Sequence, residues 1–408
     1  MRDLLPREAR VQAELARRLL DVFELHGYEL VSVPLFEYAH VLERGLGALP
    51  DDEVLRFVEP ETGAVVLLRP DMTPQIARLL ASRLADAPGP ARLSYQGSVL
   101  RRRRERARRQ RQILQAGIEL VGRGGLDGDL EVLAVASATA RGAGLADFAF
   151  DLGHAGIAQS LLAGVDADHA ASIVEALALR DTPEVERRAQ RAKIDKASLG
   201  GLLALPELHG SDEIWPRAER ALGATPAASA VAELKALWNA ALKAELAPRL
   251  SVDCAEVRDF AYYTGAVFHV YASGPGRAIG AGGRYDGLHE RFGRARPAAG
   301  FAFRLDDLGW ALERAGKPVV EPKRLLLQGA GEEYLRELRA WKLPCAAAPQ
   351  GDPFRYAKAW GYTHVVEVTL STATLVRVED LAREPLPRDA GALAAATAAL
   401  LERSPGED

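Results

Sequence analysis

The sequence contains few of the residue types that would by themselves indicate a class of protein. Cysteine and methionine occur only twice each among 408 residues, and aromatic residues make up 6%. Neither Cys254 nor Cys345 has a second cysteine or a histidine at metal-ligand spacing, which argues against a disulfide framework and a zinc site. We therefore expect a reducing compartment, with no metal and no cofactor.

Long apolar runs and targeting signals are also missing. No stretch of about 18 apolar residues occurs, and the charged first ten residues lack the apolar core of a signal peptide. The formal net charge is only -4, and the 48% of hydrophobic and 26% of charged residues are typical of globular domains. These properties predict a cytoplasmic protein with no membrane partner and no overall attraction to nucleic acid.

One segment departs from this average charge. Residues 101–111 hold eight arginines against the single Glu105, a local charge of +7. Three interpretations stay open: contact with phosphate or nucleic acid, contact with an acidic protein surface, and a solvated hairpin loop. The run lacks the interleaved aromatic residues of a single-strand binding surface, so nucleic acid is not the expected partner.

The order of periodic segments predicts an α+β chain, and 408 residues exceed what one core supports. The first part predicts, in chain order, a helix over 8–26, strands over 28–33 and 65–68, a helix over 75–84, and a hairpin of strands 93–100 and 112–121. A stretch over about 160–248, rich in Ala, Leu, Glu and Arg, predicts a helical insertion.

Strand character returns after the insertion. Strands are predicted over 250–252, 262–272 and 277–280, the last two as a second hairpin. Strands at 324–327, 345–348 and 364–368 then alternate with helices at 332–341 and 354–360. That alternation predicts a small C-terminal α/β module of roughly 80 residues. We therefore expect a core over 1–318 and a module over 319–408.

The strand predicted from Ile113 to Val121 has two different faces. Alternation directs Gln115, Gly117 and Glu119 to one side, so two polar groups flank a residue without a side chain. Such a face suits a small polar ligand lying on a sheet. It is equally compatible with the solvated outer face of an antiparallel strand.

Two other segments carry groups that could serve a binding site. Asp71 and Thr73 follow a strand end, where Asp71 could accept from an ammonium or could cap the next helix. Tyr262 and Tyr263 either line a site or pack within a sheet. The glycine-rich stretch near them matches neither a dinucleotide-binding nor a phosphate-loop motif. His154 has no identifiable partner, which favours a core or capping role over that of a general base.

Together and in this order, these segments resemble the catalytic core of class II aminoacyl-tRNA synthetases. The resemblance is to histidyl-tRNA synthetase and its paralogue, the regulatory subunit of ATP phosphoribosyltransferase. Residues 27–37 are similar to motif 1 at the dimer interface, the hairpin over 101–122 looks like motif 2, and residues 300–307 occupy the place of motif 3. This implies a class II antiparallel sheet core with a helical insertion, and self-dimerisation through the motif 1-like surface.

The resemblance also implies a histidine-binding pocket. Carried over by position, its residues are Asp71, Thr73, Gln115, Glu119, Arg258, Tyr262 and Tyr263, with Arg101 and Arg111 as residual motif 2 arginines. Asp71 and Thr73 would take the α-ammonium, and Arg258 the carboxylate. Glu119 and a tyrosine would hydrogen-bond the imidazole.

The departures from the synthetase pattern indicate loss of catalysis. Asp306 and Asp307 stand where the synthetase has a glutamate and an ATP-clamping arginine, and Arg103 replaces a motif 2 glutamate. Adenylate formation needs placed cations, so these changes should abolish it. The C-terminal module also looks shorter than an anticodon-binding domain, because its strand and helix order stops early.

The resemblance therefore implies a non-catalytic regulatory subunit for the first step of histidine biosynthesis. Such a subunit would bind histidine and pair with a short-form ATP phosphoribosyltransferase catalytic subunit. It would be required for the activity of that subunit and for its feedback control. The alternative is a histidyl-tRNA synthetase with divergent ATP-binding motifs.

Overall fold

The computed structural model describes residues 3–47, 54–101, 112–256, 262–319 and 323–402. Its strands are β1 (Glu29–Leu30), β2 (Phe36–Tyr38), β3 (Leu55–Val58), β4 (Val65–Leu68), β5 (Ala91–Leu100), β6 (Gln112–Val121), β7 (Ala149–His154), β8 (His209–Gly210), β9 (Arg249–Asp253), β10 (Ala266–Tyr271), β11 (Gly280–Arg284), β12 (Ala298–Arg304), β13 (Leu325–Gln328), β14 (Cys345–Ala347), β15 (His364–Val368), β16 (Ala373–Arg377) and β17 (Arg383–Leu386).

The helices within the same described ranges vary in length. They are α1 (Pro6–Leu25), α2 (Ala39–Leu46), α3 (Thr73–Ser82), α4 (Gly125–Gly142), α5 (Ala155–Leu161), α6 (Ala167–Ala178), α7 (Thr182–Arg191), α8 (Lys196–Ala204), α9 (Trp215–Leu222), α10 (Ala228–Lys243), α11 (Leu305–Arg314), α12 (Glu332–Ala340), α13 (Pro353–Trp360) and α14 (Ala390–Glu402). None of these described helices is long and apolar enough to cross a membrane.

The chain divides into two compact units. One contains Gln12–Val319, and the other contains Asp3–Val11 together with the chain from residue 320 on. The larger unit is built on a nine-stranded sheet in the order β1-β5-β6-β12-β11-β10-β7-β9-β8. Its strand pairs are antiparallel except β1 with β5 and β7 with β9. The predicted α+β class is therefore confirmed.

Strand β6 lies inside this sheet, between β5 and β12. Gln115 and Glu119 are only 6% and 1% exposed, although they share the face opposite Ala116 and Ile118. The interpretation of that face as a solvated surface is thus wrong, because other elements cover both sides of the strand. In the register with β12, Glu119 faces Gly300 and Gln115 faces Arg304.

The glycine-rich segment after residue 279 was assigned incorrectly from the sequence. A strand was predicted over 277–280, whereas β11 runs over Gly280–Arg284 and pairs with both β10 and β12. Glycine usually marks turns, but here it permits close strand contact. A Cβ on Gly283 would lie 2.6 Å from the carbonyl oxygen of Ala266, and one on Gly282 would collide with the carbonyl of Gly300.

The helical insertion is present as predicted, with α6 to α10 between β7 and β9. One exception is β8, a two-residue strand that pairs with β9 at the sheet edge. A separate three-stranded sheet, β2-β4-β3, lies near α3. There Arg78 of α3 donates from Nε to Glu37 Oε2 of β2 at 2.8 Å. This ion pair joins the small sheet to the helix that follows Asp71.

The smaller unit holds a five-stranded sheet in the order β14-β13-β15-β16-β17. Its first three strands agree with the predicted α/β module. The prediction that the order stops early is wrong, because β16, β17 and α14 follow β15. Helix α14 is mostly alanine and leucine, so its sequence has little of the alternation between apolar and polar faces that marks a surface helix.

Candidate functional site

Side chains from three parts of the chain surround one small cavity on the nine-stranded sheet. The cavity has a volume of about 50 Å³. Six of the seven predicted pocket residues line it, together with Arg101: Asp71, Thr73, Gln115, Glu119, Tyr262 and Tyr263. The other predictions, Arg258 and Arg111, lie outside the described residues.

Glu119 is the most deeply buried acceptor in the cavity. Its Oε1 accepts from the Thr73 hydroxyl at 2.6 Å, and its Oε2 accepts from the Tyr285 hydroxyl. Burial raises the pKa of Glu119 well above its usual range, against the hydrogen bond from Thr73, and nearby Asp71 raises it further. A ligand that brings an N–H donor or a positive charge would therefore be stabilised strongly here.

Asp71 contacts both the cavity and a helix. Its Oδ2 accepts from the Tyr262 hydroxyl at 2.8 Å, and its Oδ1 accepts from the backbone N–H of Thr73 at 3.2 Å. This carboxylate therefore lines the cavity and also accepts from a backbone N–H in the first turn of α3. Burial and the neighbouring Asp71 raise the pKa of Tyr262 well above its usual range, so its hydroxyl keeps its proton and acts as the donor.

Three tyrosine rings form one wall. The ring centroids of Tyr262 and Tyr263 are 4.9 Å apart, and those of Tyr262 and Tyr285 are 5.5 Å apart with an edge-to-face angle of 80°. Tyr285 was not predicted as a site residue. It follows β11 directly, and its contact with Glu119 depends on the pairing of that strand with β12.

Comparison with known proteins supports a single family. A model of the histidyl-tRNA synthetase family matches residues 1–308. The chain is 39% identical to the ATP phosphoribosyltransferase regulatory subunit of Moorella thermoacetica, over 75% of this chain and 79% of that protein. It is 31% identical to the regulatory subunit of Syntrophotalea carbinolica, over 93% of this chain and 92% of that one. The chain belongs to the ATP phosphoribosyltransferase regulatory subunit branch of the histidyl-tRNA synthetase family.

A solved structure supports the same family assignment. The ATP phosphoribosyltransferase regulatory subunit/histidyl-tRNA synthetase from Bacillus halodurans superposes with a TM-score of 0.75 at 26% identity. The match covers 90% of this chain and 96% of that one. The predicted class II synthetase-like core is therefore confirmed.

In this member of the regulatory subunit family, small residues form the cavity floor. Gly300, Ala281 and Ala302 line it, and Gly117 lies beside Ala302 in the β6–β12 register. A Cβ on Gly300 would collide with the Glu119 carboxylate. The floor is flat because a side chain at that point would occupy the space in front of Glu119.

The motif 3 positions lie beside this floor. Arg304 lines the cavity. Asp306 accepts from Gln12 Nε2 at 2.8 Å, and buried Asp307 accepts from Arg277 Nη2 at 2.9 Å. Neither aspartate is among the residues that line the described cavity. These contacts tie the first turn of α11 to Gln12 and Arg277.

A second buried carboxylate, Asp129 on α4, predicts an unusual pH dependence. Burial raises its pKa to about 7, although nearby Arg284 lowers it. Between the unfolded value of 3.8 and about 7, the folded chain binds the extra proton. Stability is therefore lost as pH rises through that range. We expect the stability of Asp129→Asn relative to the wild type to increase between pH 5 and pH 8, by on the order of 2 kcal/mol.

Thermal unfolding midpoints at both pH values measure this effect. Asp127→Asn is the matched control, since Asp127 is exposed on the first turn of the same helix. It should leave the pH dependence unchanged. Parallel pH curves for Asp129→Asn and the wild type would contradict the assignment.

Proposed function

We propose that this chain is the histidine-sensing, non-catalytic regulatory subunit of an ATP phosphoribosyltransferase. It binds histidine in the cavity around Glu119 and acts on a separate short-form catalytic subunit at the first step of histidine biosynthesis. That subunit requires it for activity and for feedback control. The observation that carries the proposal is the Glu119 carboxylate, held between Thr73 and Tyr285 and facing the same cavity as Asp71.

The charges of the cavity match those of free histidine. Asp71 and Thr73 offer oxygen acceptors to the α-ammonium, and Glu119 offers one to an imidazole N–H. The α-carboxylate needs a cation, and Arg101 and Arg304 both line the described cavity. Arg258 is the additional cation that the family resemblance assigns to this group. Gln115 supplies an amide that can donate to the carboxylate as well.

The sequence of motif 3 supports binding without activation. Adenylate formation would need a cation where Asp306 and Asp307 stand. Asp307 is an anion that pairs with Arg277 at 2.9 Å, and a carboxylate at this position repels a nucleotide phosphate instead of offsetting its charge. The histidyl-tRNA synthetase family model leaves one alternative, a synthetase with divergent motifs, and histidine-dependent exchange of pyrophosphate into ATP would reveal it.

We also propose that two copies associate through the motif 1-like surface. Apolar side chains on one face of the three-stranded sheet are exposed there, notably Phe36, Tyr38 and Phe57. The rings of Phe36 and Phe57 meet edge to face, with centroids 5.9 Å apart. A contiguous apolar patch of this kind favours a protein partner, and the resemblance of residues 27–37 to motif 1 selects a second copy.

Co-purification tests the function directly. The chain is mixed with a short-form catalytic subunit, and phosphoribosyl transfer to ATP is measured with and without histidine. We expect a stable hetero-oligomer, activity that requires both chains, and a dose-dependent response to histidine. An inert mixture of separate chains would contradict the proposal, and pyrophosphate exchange by this chain alone would favour the synthetase.

A further inference from the structure

A partly buried charge cluster joins the helical insertion to the core sheet. Arg284, the last residue of β11, donates from Nη2 to Glu233 Oε2 on α10 at 2.5 Å. Its Nε lies 3.4 Å from Asp129 Oδ1, and its Nη1 lies 3.7 Å from Asp286 Oδ2. Glu233 is the member of this cluster that the insertion supplies.

His154 meets the same carboxylate from the end of β7. Its Nδ1 accepts from the backbone N–H of Gly156 at 3.1 Å and so caps α5. Burial lowers the pKa of His154, which favours the neutral ring with its proton on Nε2. That nitrogen lies 3.5 Å from Glu233 Oε2. The predicted capping role is confirmed, and the second nitrogen of the ring faces the insertion.

The cluster is incompletely satisfied. Within the described residues, His154 Nε2 and Arg284 Nε are buried without a hydrogen-bond partner. A buried donor without a partner costs about 1–3 kcal/mol, so this contact between α10 and the core is weaker than a fully paired one. Small changes in the position of Arg284 can therefore shift how firmly α10 docks.

Arg284 also supports the chain segment that follows the pocket tyrosines. Its carbonyl oxygen accepts from the N–H groups of Thr264 at 2.9 Å and Gly265 at 3.3 Å. A Cβ on Gly265 would collide with the Arg284 guanidinium, so the two groups are in close contact. On the other side, Gln159 of α5 donates to the Tyr263 carbonyl at 3.0 Å. The backbone from Tyr263 to Gly265 is thus held between Arg284 and α5.

We propose that Glu233 is a positioning residue that couples docking of the insertion helix α10 to the histidine pocket, through Arg284 and the segment after Tyr263. This rests on the proposed histidine site. With α10 docked, Glu233 fixes the Arg284 side chain and the tyrosine wall keeps the geometry that binds ligand. Because coupling is reciprocal, bound histidine must in turn hold α10 more firmly.

The chain offers a matched pair of variants for the test. Glu233→Gln removes the charge that Arg284 and His154 face, with little change in shape. Glu219→Gln removes an ion pair of the same length inside the insertion, where Lys235 Nζ lies 2.5 Å from Glu219 Oε1. The two glutamates are 48% and 58% exposed, so both variants should fold, as thermal unfolding would verify.

Histidine affinity by calorimetric titration and amide exchange of α10 are the two measurements. Because Glu233 is half exposed, we expect Glu233→Gln to weaken histidine binding by about threefold to tenfold, the lower end of typical coupling. Histidine should slow exchange in α10 of the wild type and of Glu219→Gln, and should do so much less in Glu233→Gln. If Glu233 affected only stability, Glu233→Gln would leave the slowing of α10 exchange by histidine unchanged.

The outcomes separate the coupling from the proposed function. Equal affinities and equal protection of α10 in Glu233→Gln and the wild type would overturn the coupling and leave the histidine site intact. A similar loss in Glu219→Gln would also overturn it, since the effect would then belong to the insertion in general. If wild-type protein bound no histidine, both proposals would be wrong.

Discussion

Replacing Glu119 with glutamine is expected to weaken histidine binding by about a hundredfold while the chain stays folded. The Glu119 side chain accepts from Thr73 and Tyr285 in a buried site, and an N–H donor or cation of the ligand favours its ionised form, to which hydrogen bonds contribute most. A hundredfold loss corresponds to about 2.7 kcal/mol, within the range for one such contact together with the lost charge. Calorimetric titration with histidine gives the affinity.

The same variant should gain stability when no ligand is present. Burial raises the pKa of Glu119, so the folded chain loses stability as pH rises and the buried carboxyl must ionise. Glutamine removes that cost, and the unliganded variant should unfold at a higher temperature than the wild type at pH 8. A variant with weaker binding and a higher melting temperature would be difficult to explain by general damage to the fold.

Glu131→Gln is the control for this prediction. Glu131 on α4 pairs with Arg92 and Arg123, each at 2.7 Å, and does not line the cavity. It should bind histidine as the wild type does, even though it loses two ion pairs. If Glu119→Gln bound histidine with wild-type affinity, Glu119 would not be part of the binding site.

Introducing an acid at Phe57 is expected to separate the two copies of the proposed dimer. Phe57 packs edge to face on Phe36 at the exposed face of the three-stranded sheet. An aspartate there would place an unpaired charge at the centre of an apolar contact, which costs several kcal/mol. We expect the dissociation constant to rise by at least about a hundredfold. Sedimentation velocity over a concentration series measures the change.

Leu370→Asp serves as the matched apolar-to-acid control. Leu370 is 94% exposed and belongs to the smaller unit. It is distant in sequence from the three-stranded sheet. This variant should sediment as the wild type does. A wild-type chain that is monomeric at tens of micromolar, or a Phe57→Asp variant that remains dimeric, would place the interface elsewhere.

The sequence could predict which pocket residues share a face, but not how deeply they lie. Strand periodicity alone puts Gln115 and Glu119 on one side of β6, because successive side chains alternate. Whether that side meets water depends on Thr73 and Tyr262, which arrive from chain segments 42 and 147 residues away from Gln115. Only the resemblance to a known family predicts that those segments meet, and residue patterns alone do not.

The errors in the sequence interpretation have physical causes as well. The strand predicted over 277–280 ends where β11 begins, because glycine-rich Gly280–Arg284 has little strand propensity of its own and is held by close contact with β10 and β12. The contact of Tyr285 with Glu119 depends on that pairing and so does not follow from the sequence. Helix α14 has so little contrast between its faces that its periodicity does not reveal a helix, although Asp389 caps its first turn by accepting from the backbone N–H of Ala392 at 2.9 Å.

The two functions of the Asp71 carboxylate have a consequence for mutational studies. One oxygen accepts from the first backbone N–H of α3 and the other from Tyr262, so removing the carboxylate alters a helix end and the cavity together. Glu119 differs, because the backbone hydrogen bonds of β6 do not depend on its side chain. Lost binding in an Asp71 variant would therefore be ambiguous, whereas a Glu119 variant keeps the backbone hydrogen bonds of its strand and changes only side-chain contacts in the cavity.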